Sequence, residues 1–481
     1  MNPSDVARRF ERRHGYDLID YAEVALPLYR LTVDAITMVH HDIPPIKEFV
    51  MRSIAIGLDT AAEIGGFLGI DSTIVLATLD QLKSDRYATA NEETEIALTA
   101  RGHDVLSKAK ESSPQDEMLV FLYDRLTLKP VRLPPEQLLV PLNVDSKRTI
   151  EIRPYPAEGP EIDQIGLPDV LQVLTQQAGG RGAFGRDLLR LKRIVRRVRL
   201  YRPGVALVYK KVRSSEIQIA FIVDEVRNEP LEHAFAERGG PKKMGFLRSI
   251  DESAAVADLR RYLGSDILKK VVDQASCEER RLAVSLARIK HQAALTRAER
   301  GPAHDDASAS AEAVAASGDL LAEAEAELRA YAARTIAPFE ISEFLEDALE
   351  RSERLLIASS RTVDRSVVDP QFLRRLEDLL TRGVQVIFTL RDAPKPEAPA
   401  IELERLNKRY PNLQITTGGR GQFHHLISDD KFAVISNRPI LGNFGKVRSF
   451  NHVVGYVLQH SELVRDFTAR IEGSNARQVK P

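Results

Sequence analysis

Apolar residues recur along this chain with two different periods, and the change from one to the other marks out its regions. From Pro45 onward they fall three and four apart, which predicts helices over Pro45–Leu58, Thr60–Leu68 and Thr73–Ser84. Gly57 and Gly69 punctuate the first two, and Asp71 or Ser72 offers an N-cap oxygen to the third. Tyr87–Thr89 and Glu95–Leu98 then alternate as two short strands around Asn91-Glu92-Glu93, and Leu98-Thr99-Ala100-Arg101-Gly102 opens another helix. Alternation also marks Thr149–Pro154, and a hairpin made of Val205–Lys211 and Glu216–Val226 turned at Arg213-Ser214-Ser215. Between Arg181 and Arg202, Leu188, Leu189, Leu191, Ile194, Val195 and Val198 recur at helical spacing and predict an amphipathic helix.

The second half carries a helical pattern without Gly or Pro from Asp266 to Arg300, stopped at Gly301-Pro302. Residues 301–318 are rich in Ala, Ser and Asp and read as a flexible linker; 319–336 is again a good helix former. Strands and helices then alternate: helix Ser342–Arg351, strand Arg354–Ser359, helix Pro370–Arg382, strand Val384–Leu390, helix Ala400–Tyr410, strand Leu413–Thr416. Strands His425–Ile427, Phe432–Ser436 and Val453–Leu458 and a helix Ser461–Ile471 complete the pattern.

A chain of 481 residues exceeds one core, so an α/β multidomain protein is expected. Its regions are 1–112, helical with the helix–strand module at about 46–110; 115–262, a mixed αβ domain with the basic helix; 266–300, a long helix; 301–318, the linker; 319–336, a helix; 338–473, a second αβ domain; and 474–481, a disordered tail. The formal net charge of −1 excludes an all-over polybasic binder and leaves nucleic-acid contact to local patches. The only cysteine, Cys277, excludes an intrachain disulfide and a cysteine-based zinc site, and it fits a cytoplasmic location. The charged start Met1–Gly15 does not read as a signal peptide, and no run approaches a membrane span.

The best local patch is the basic run: Arg181, Arg186, Arg190, Lys192, Arg193, Arg196, Arg197, Arg199 and Arg202, opposed only by Asp187. Arg186, Arg190, Arg193, Arg196 and Arg197 are its candidate nucleic-acid or polyanion contacts. The alternative is a solvated face paired with carboxylates elsewhere. Scattered histidines, with no H-x-x-x-H on a helix, give no metal site, and no motif implies a cofactor.

The module at Ile46–Lys110, with its Leu-Thr-x-x-Gly phrase, resembles the winged helix-turn-helix of bacterial regulators. Its third helix presents Ser72, Thr73, Thr78, Gln81 and Lys83, but its wing carries Glu92, Glu93 and Glu95, the wrong sign for phosphate, so a protein partner is favoured over DNA there.

The segment Gly418–Asn443, GGRGQFHHLISDDKFAVISNRPILGN, resembles the second half of the phospholipase D superfamily motif H-x-K-x4-D and its following Gly-Ser-x-Asn-like turn. The resemblance implies an αβ sandwich in which a histidine attacks phosphorus, a second protonates the leaving oxygen, Lys and Asn hold phosphate, and an Asp orients the imidazole. With Asp429 at the family Asp, Gln422 falls on the nucleophile and His424 on the lysine, while Asn437 and Pro439 take the Ser and Asn positions. A two-residue slip restores His424 as nucleophile, with His425 and Asp429 as companions, but places Leu426 on the lysine. Two such motifs must meet, so an active enzyme requires a dimer, and the long helix also suggests a homo-oligomer. Arg420, Asn437, Arg438, Asn443 and Lys446 remain as groups for phosphate or nucleic-acid backbone. The sequence therefore favours binding over cutting. It suggests a component of a prokaryotic regulatory or phage-defence system, with a dimeric phosphodiesterase or a ligand-responsive regulator as alternatives.

Overall fold

The computed structural model describes residues 2–90, 96–108, 110–147, 149–179, 186–212, 214–243, 252–299, 307–393, 398–418, 421–442 and 450–478. In chain order the elements are α1 (Pro3–Arg9), β1 (Tyr16–Asp42), α2 (Pro45–Ala55), α3 (Ala61–Leu68), α4 (Ser72–Ser84), β2 (Ala88–Ala90), β3 (Ile96–Leu98), α5 (Ala100–Lys108), β4 (Lys110–Asp124) and β5 (Lys129–Val131). There follow α6 (Pro141–Lys147), β6 (Ile150–Glu151), α7 (Leu167–Gln177), β7 (Arg186–Lys211), β8 (Ile217–Val223), β9 (Val226–Arg227), α8 (Glu229–Glu237), α9 (Gly240–Lys243), α10 (Glu252–Leu263), α11 (Ser265–Leu268), α12 (Gln274–Glu299) and α13 (Ala307–Arg329). The last stretch holds β10 (Ala333–Thr335), α14 (Glu340–Arg351), β11 (Leu355–Ser360), α15 (Pro370–Thr381), β12 (Gln385–Leu390), α16 (Ala398–Arg409), β13 (Leu413–Thr417), β14 (His424–Ser428), β15 (Phe432–Ser436), β16 (Gly455–Leu458) and α17 (Ser461–Gln478).

Two compact units are interleaved in sequence. One holds Leu28–Glu136 and Glu158–Leu200; the other holds Met1–Pro27, Gln137–Ala157 and Tyr201–Pro481.

In the first unit the second half of β1 pairs antiparallel with β4 from Leu28↔Asp124 to Asp42↔Lys110, and β5 and the first half of β7 lie outside them. The region 1–112 was expected to be mostly helical, but Tyr16–Asp42 is one long strand. Its inward residues Leu31, Val33, Ala35 and Thr37 are fully buried two apart, a strand period that the flanking helices mask in the sequence. The helix-strand module lies between β1 and β4 with α2, α3, α4, the β2–β3 hairpin and α5 in the expected order. Asp71 caps α4, its carboxylate accepting the Thr73 N–H at 2.8 Å. Gly102 is required because a Cβ there would stand 2.1 Å from the Tyr87 carbonyl oxygen, and the Thr99 hydroxyl caps the same turn by accepting the Gly102 N–H at 3.0 Å.

The basic helix expected between Arg181 and Arg202 is not a helix. From Arg186 the backbone is the strand β7, hydrogen-bonded to β1. Leu188, Leu191, Ile194 and Val198 are its more buried positions, three and four apart, so their spacing imitates a helix while sheet pairing dictates extended backbone. Residues 181–185 lie outside the described residues.

The second unit is built on a seven-stranded mixed sheet of order β10-β16-β15-β14-β11-β12-β13. β11, β12 and β13 run parallel; β14, β15 and β16 alternate antiparallel. Alternate strand residues serve two cores. Leu356, Ala358, Val386, Phe388, Leu426 and Val434 pack with α14, α15 and α16, whereas Ile357, Ile427, Ala433 and Ile435 pack with α10, α11 and α17. Asp369 caps α15 through the N–H groups of Gln371 and Phe372 at 2.9 and 2.8 Å, next to Pro370 in its first turn.

Three further expectations change. The helix read from Asp266 breaks after α11 and restarts at Gln274. The linker read at 301–318 is helical from Ala307, because α13 packs along α12 through the ion pair of Arg288 with Glu325 and the contact of His291 with Ser317. The backbone read as a tail from residue 474 stays helical to Gln478.

Candidate phosphate-binding site at the ends of the C-terminal strands

β11 and β12 are parallel, so their carboxyl ends lie on one edge of the sheet, and antiparallel β14 begins at that edge. In open sheets of this kind ligands bind outside the carboxyl ends of the strands. Ser360 and Arg361 follow β11 there, Leu390 and Arg391 end β12, and His424 opens β14.

The histidine pair does not act as a pair. Adjacent residues of a strand face opposite sides, and His424 pairs with Ser436 while His425 pairs with Ile435. His425 faces the α17 core: its Nδ1 lies 3.0 Å from Ser359 Oγ, and its ring stands edge-on to Phe467 at 6.3 Å. The same Ser359 hydroxyl accepts the His425 backbone N–H at 2.7 Å, while Nε2 is buried without a partner. Burial, and then the neighbouring His424, hold its pKa near 4, so it is a neutral core residue. His424, on the other face, is buried, and its pKa is also pushed down to about 4, first by burial and then by Arg391 and Arg361.

Asp429 does not orient either imidazole. It sits at the opposite end of β14 in a left-handed turn at φ 51° and accepts the backbone N–H groups of Glu353, Arg354 and Leu355 at 2.9, 2.8 and 2.9 Å. Burial raises its pKa, but these three donors outweigh that and hold the carboxyl below the usual range. Its role is to brace the start of β11.

Asn437 and Arg438 are likewise engaged in structure. Asn437 Nδ2 donates to the His452 carbonyl at 2.8 Å and its Oδ1 accepts the Val454 N–H at 3.0 Å. Arg438 stacks 4.8 Å over Tyr21 and reaches Asp20 at 3.4 Å. Asp20 was missed in the sequence; burial lifts its pKa to about 6 against the pull of Arg438 and of the Asn451 and Tyr21 N–H groups. Arg420, Asn443 and Lys446 lie outside the described residues.

What the edge does gather is Arg361, Arg391 and His424. Arg361 Nε donates to Asp392 at 2.9 Å, and Arg391 lies 3.7 Å from the same carboxylate. Two guanidinium groups thus share one acid beside a neutral imidazole, a set that suits a phosphate oxygen. Both arginines were missed, although each follows an apolar strand run, Leu355–Ser360 and Gln385–Leu390, at the position where such strands end.

The basic run divides in two. Arg186 pairs with Glu117, Lys192 with Asp116 at 3.0 Å, Arg193 with Asp34 at 3.4 Å, and Arg197 donates to the Pro160 carbonyl at 2.9 Å. Arg190, Arg196 and Arg199 are exposed and form no hydrogen bond or ion pair among the described residues. Among those residues no group of three or more His, Cys, Asp or Glu could hold a metal ion, and no single helix is long and apolar enough to cross a membrane.

No protein-family profile matches the chain, and no curated protein matches it. Among solved structures, Nuc of Salmonella typhimurium, a phospholipase D family member, matches 27% of this chain and 84% of its own at 14% identity and a TM-score of 0.21. Phosphatidylserine synthase of Haemophilus influenzae Rd KW20 matches 34% of this chain and 46% of its own at 11% identity and the same TM-score of 0.21.

Proposed function

We propose that this protein binds a nucleic-acid backbone without cutting it, as a component of a prokaryotic regulatory or phage-defence system. The observation that carries the reading is the division of the two histidines between opposite faces of β14, with His425 held by Ser359. An attacking imidazole and a proton-donating one must face the same phosphorus, so one chain's pair does not supply both. Arg361 and Arg391 supply charge for binding, and the exposed Arg190, Arg196 and Arg199 supply a second cationic surface. The α2–α5 module, read as a winged helix, serves as a docking element for a protein partner. A cytoplasmic location and self-association belong to the same reading.

A second reading, a dimeric metal-independent phosphodiesterase using His424, draws on one fact: with its pKa near 4, His424 is unprotonated at neutral pH, as a nucleophile must be. One experiment separates the two. Purified protein is incubated in EDTA with DNA, RNA and a chromogenic phosphodiester, and bound oligonucleotide is measured alongside. Binding without turnover, weakened at least tenfold by Arg361→Glu with Arg391→Glu, is the expected result. Turnover that His424→Ala abolishes would establish the enzyme instead.

A further inference from the structure

A concavity lies in the same unit, two strands from His424 along the same sheet edge, where β10 ends and β16 begins. It encloses about 630 Å³ between the loop Glu11–Asp17, α10, the start of α12, and the backbone around Thr335 and His452–Tyr456. That volume lies within the range of small-molecule sites. Arg12 and Arg260 line it and are exposed, and their side chains form no hydrogen bond or ion pair among the described residues. Arg281, behind them, donates to the Thr335 carbonyl and pairs with Glu340 at 3.2 Å, yet its Nε is buried without a partner. His452 Nδ1, on the facing wall, is also buried without a partner. Two guanidinium groups that no carboxylate among the described residues matches, on one cavity of this size, call for an anionic occupant.

The walls indicate what that occupant is. Arg12, Arg13, Arg260 and Arg281 face Glu11, Asp17 and Glu278. Burial lifts Glu11 to about 7, so it carries less than full charge near neutrality, and burial with Glu278 raises Asp17. Arg13 and Arg281 are paired with Glu232 and Glu340, so the cationic charge left for a ligand is that of Arg12 and Arg260. Leu259, Ile336, Val453 and Tyr456 give it an apolar floor, so a bare phosphate would leave most of the space unfilled.

From these features we propose that this cavity binds a phosphorylated organic anion of mononucleotide size, with Arg12 and Arg260 on the phosphate. The cavity lies two strands along the same sheet edge from His424, since Gly455 pairs with Ser436 and Ser436 with His424, but His424, Arg361 and Arg391 are not among its lining residues.

Calorimetric titration of the full chain with ATP, and separately with inorganic phosphate, tests this. Saturable ATP binding that falls at least tenfold in Arg12→Glu with Arg260→Glu, with inorganic phosphate binding far more weakly, supports the site. Equal binding of ATP and phosphate would remove the organic part of the proposal. No heat with either ligand at millimolar concentration, or ATP binding that the double variant leaves unchanged, overturns it. Both arginines are exposed, so the variant is expected to fold, which an unchanged thermal unfolding curve verifies. Arg361→Glu with Arg391→Glu should leave ATP binding intact; if it alone abolishes that binding, the ligand sits at the strand edge and the proposal fails.

Discussion

At one end of β14, Asp429 accepts three backbone N–H groups and is tied into the turn that starts β11. At the other end His424 stands beside Arg361 and Arg391, and no hydrogen bond holds its ring among the described residues. The two residues come from one motif-like phrase, yet the first is satisfied by its own chain and the second is not. A polar group that completes its bonds internally is scaffold. One left next to two guanidinium groups that share a single carboxylate marks where a ligand can add bonds that the fold does not make.

The sharpest way to break this contrast is to remove each residue in turn. Asp429→Ala leaves three N–H groups without their acceptor and is expected to destabilise by about 3 kcal/mol or more. Asp429→Asn, which keeps one oxygen and tolerates the left-handed backbone, should lose less. His424→Ala, which removes a buried ring whose nitrogens make no hydrogen bond among the described residues, should cost less, about 2 kcal/mol. Urea midpoints of the three variants check the order; equal losses for Asp429→Ala and His424→Ala would erase the distinction. The pH profile adds a sign. Because the folded carboxyl of Asp429 titrates below its unfolded value, its contribution is complete above the unfolded pKa and is lost as pH falls through the folded one. Asp429→Asn should flatten that acid limb.

The same contrast exists within β7. Lys192 and Arg193 are matched by Asp116 and Asp34, while Arg190, Arg196 and Arg199 are unmatched. Reversing the unmatched three to Glu should lower affinity for a DNA oligonucleotide by roughly ten- to a hundredfold at low salt. It should also reduce the slope of log affinity against log salt by about 2 to 3. Reversing Lys192 and Arg193 should change both far less. Equal effects from the two sets would show that the pairing in the folded chain does not govern the surface. An unchanged slope in the first set would point to edge protection as the role of these charges, since cations along an exposed strand also discourage edge-to-edge association.

Much of the C-terminal sheet was legible in the sequence. The strands Arg354–Ser359 and Val384–Leu390 and the helix at Pro370 fall within two residues of their observed bounds, because each is an unbroken apolar run or a capped amphipathic face. The β7 run was not, since Leu188, Leu191 and Ile194 repeat at a helical interval and only pairing with β1 makes them extended. The site was legible in its position and not in its members. Phrase-level resemblance led to Asn437, Arg438 and Asp429, whose partners Val454, Asp20 and the residues at 353–355 are remote in sequence. No spacing rule announces that a polar side chain is already spent on a distant backbone group. Arg361 and Arg391 carry no motif, and only the sheet order brings them together.

The smallest expected effect concerns Glu11, which lines the nucleotide-sized cavity and carries a carboxyl with its pKa near 7. The groups acting on it are Arg281 from α12 and Arg12 from its own loop, which favour the charged form, and Glu340 and Glu343 from α14, which with burial oppose it. Protonation below pH 7 removes a negative charge from a cavity built for an anion, so ATP affinity should rise as pH falls from 8 to 6. One unit charge at the distances of such a site is worth about threefold to tenfold in affinity. Glu11→Gln should fix the chain in the low-pH behaviour, binding at pH 8 as tightly as the wild type does at pH 6. His14 lines the same cavity, so the part of the pH dependence that vanishes in Glu11→Gln is the part assigned to the carboxyl. A profile that keeps its full slope in that variant would remove Glu11 from the cavity's electrostatics and leave Arg12 and Arg260 as the groups that carry its preference for an anion.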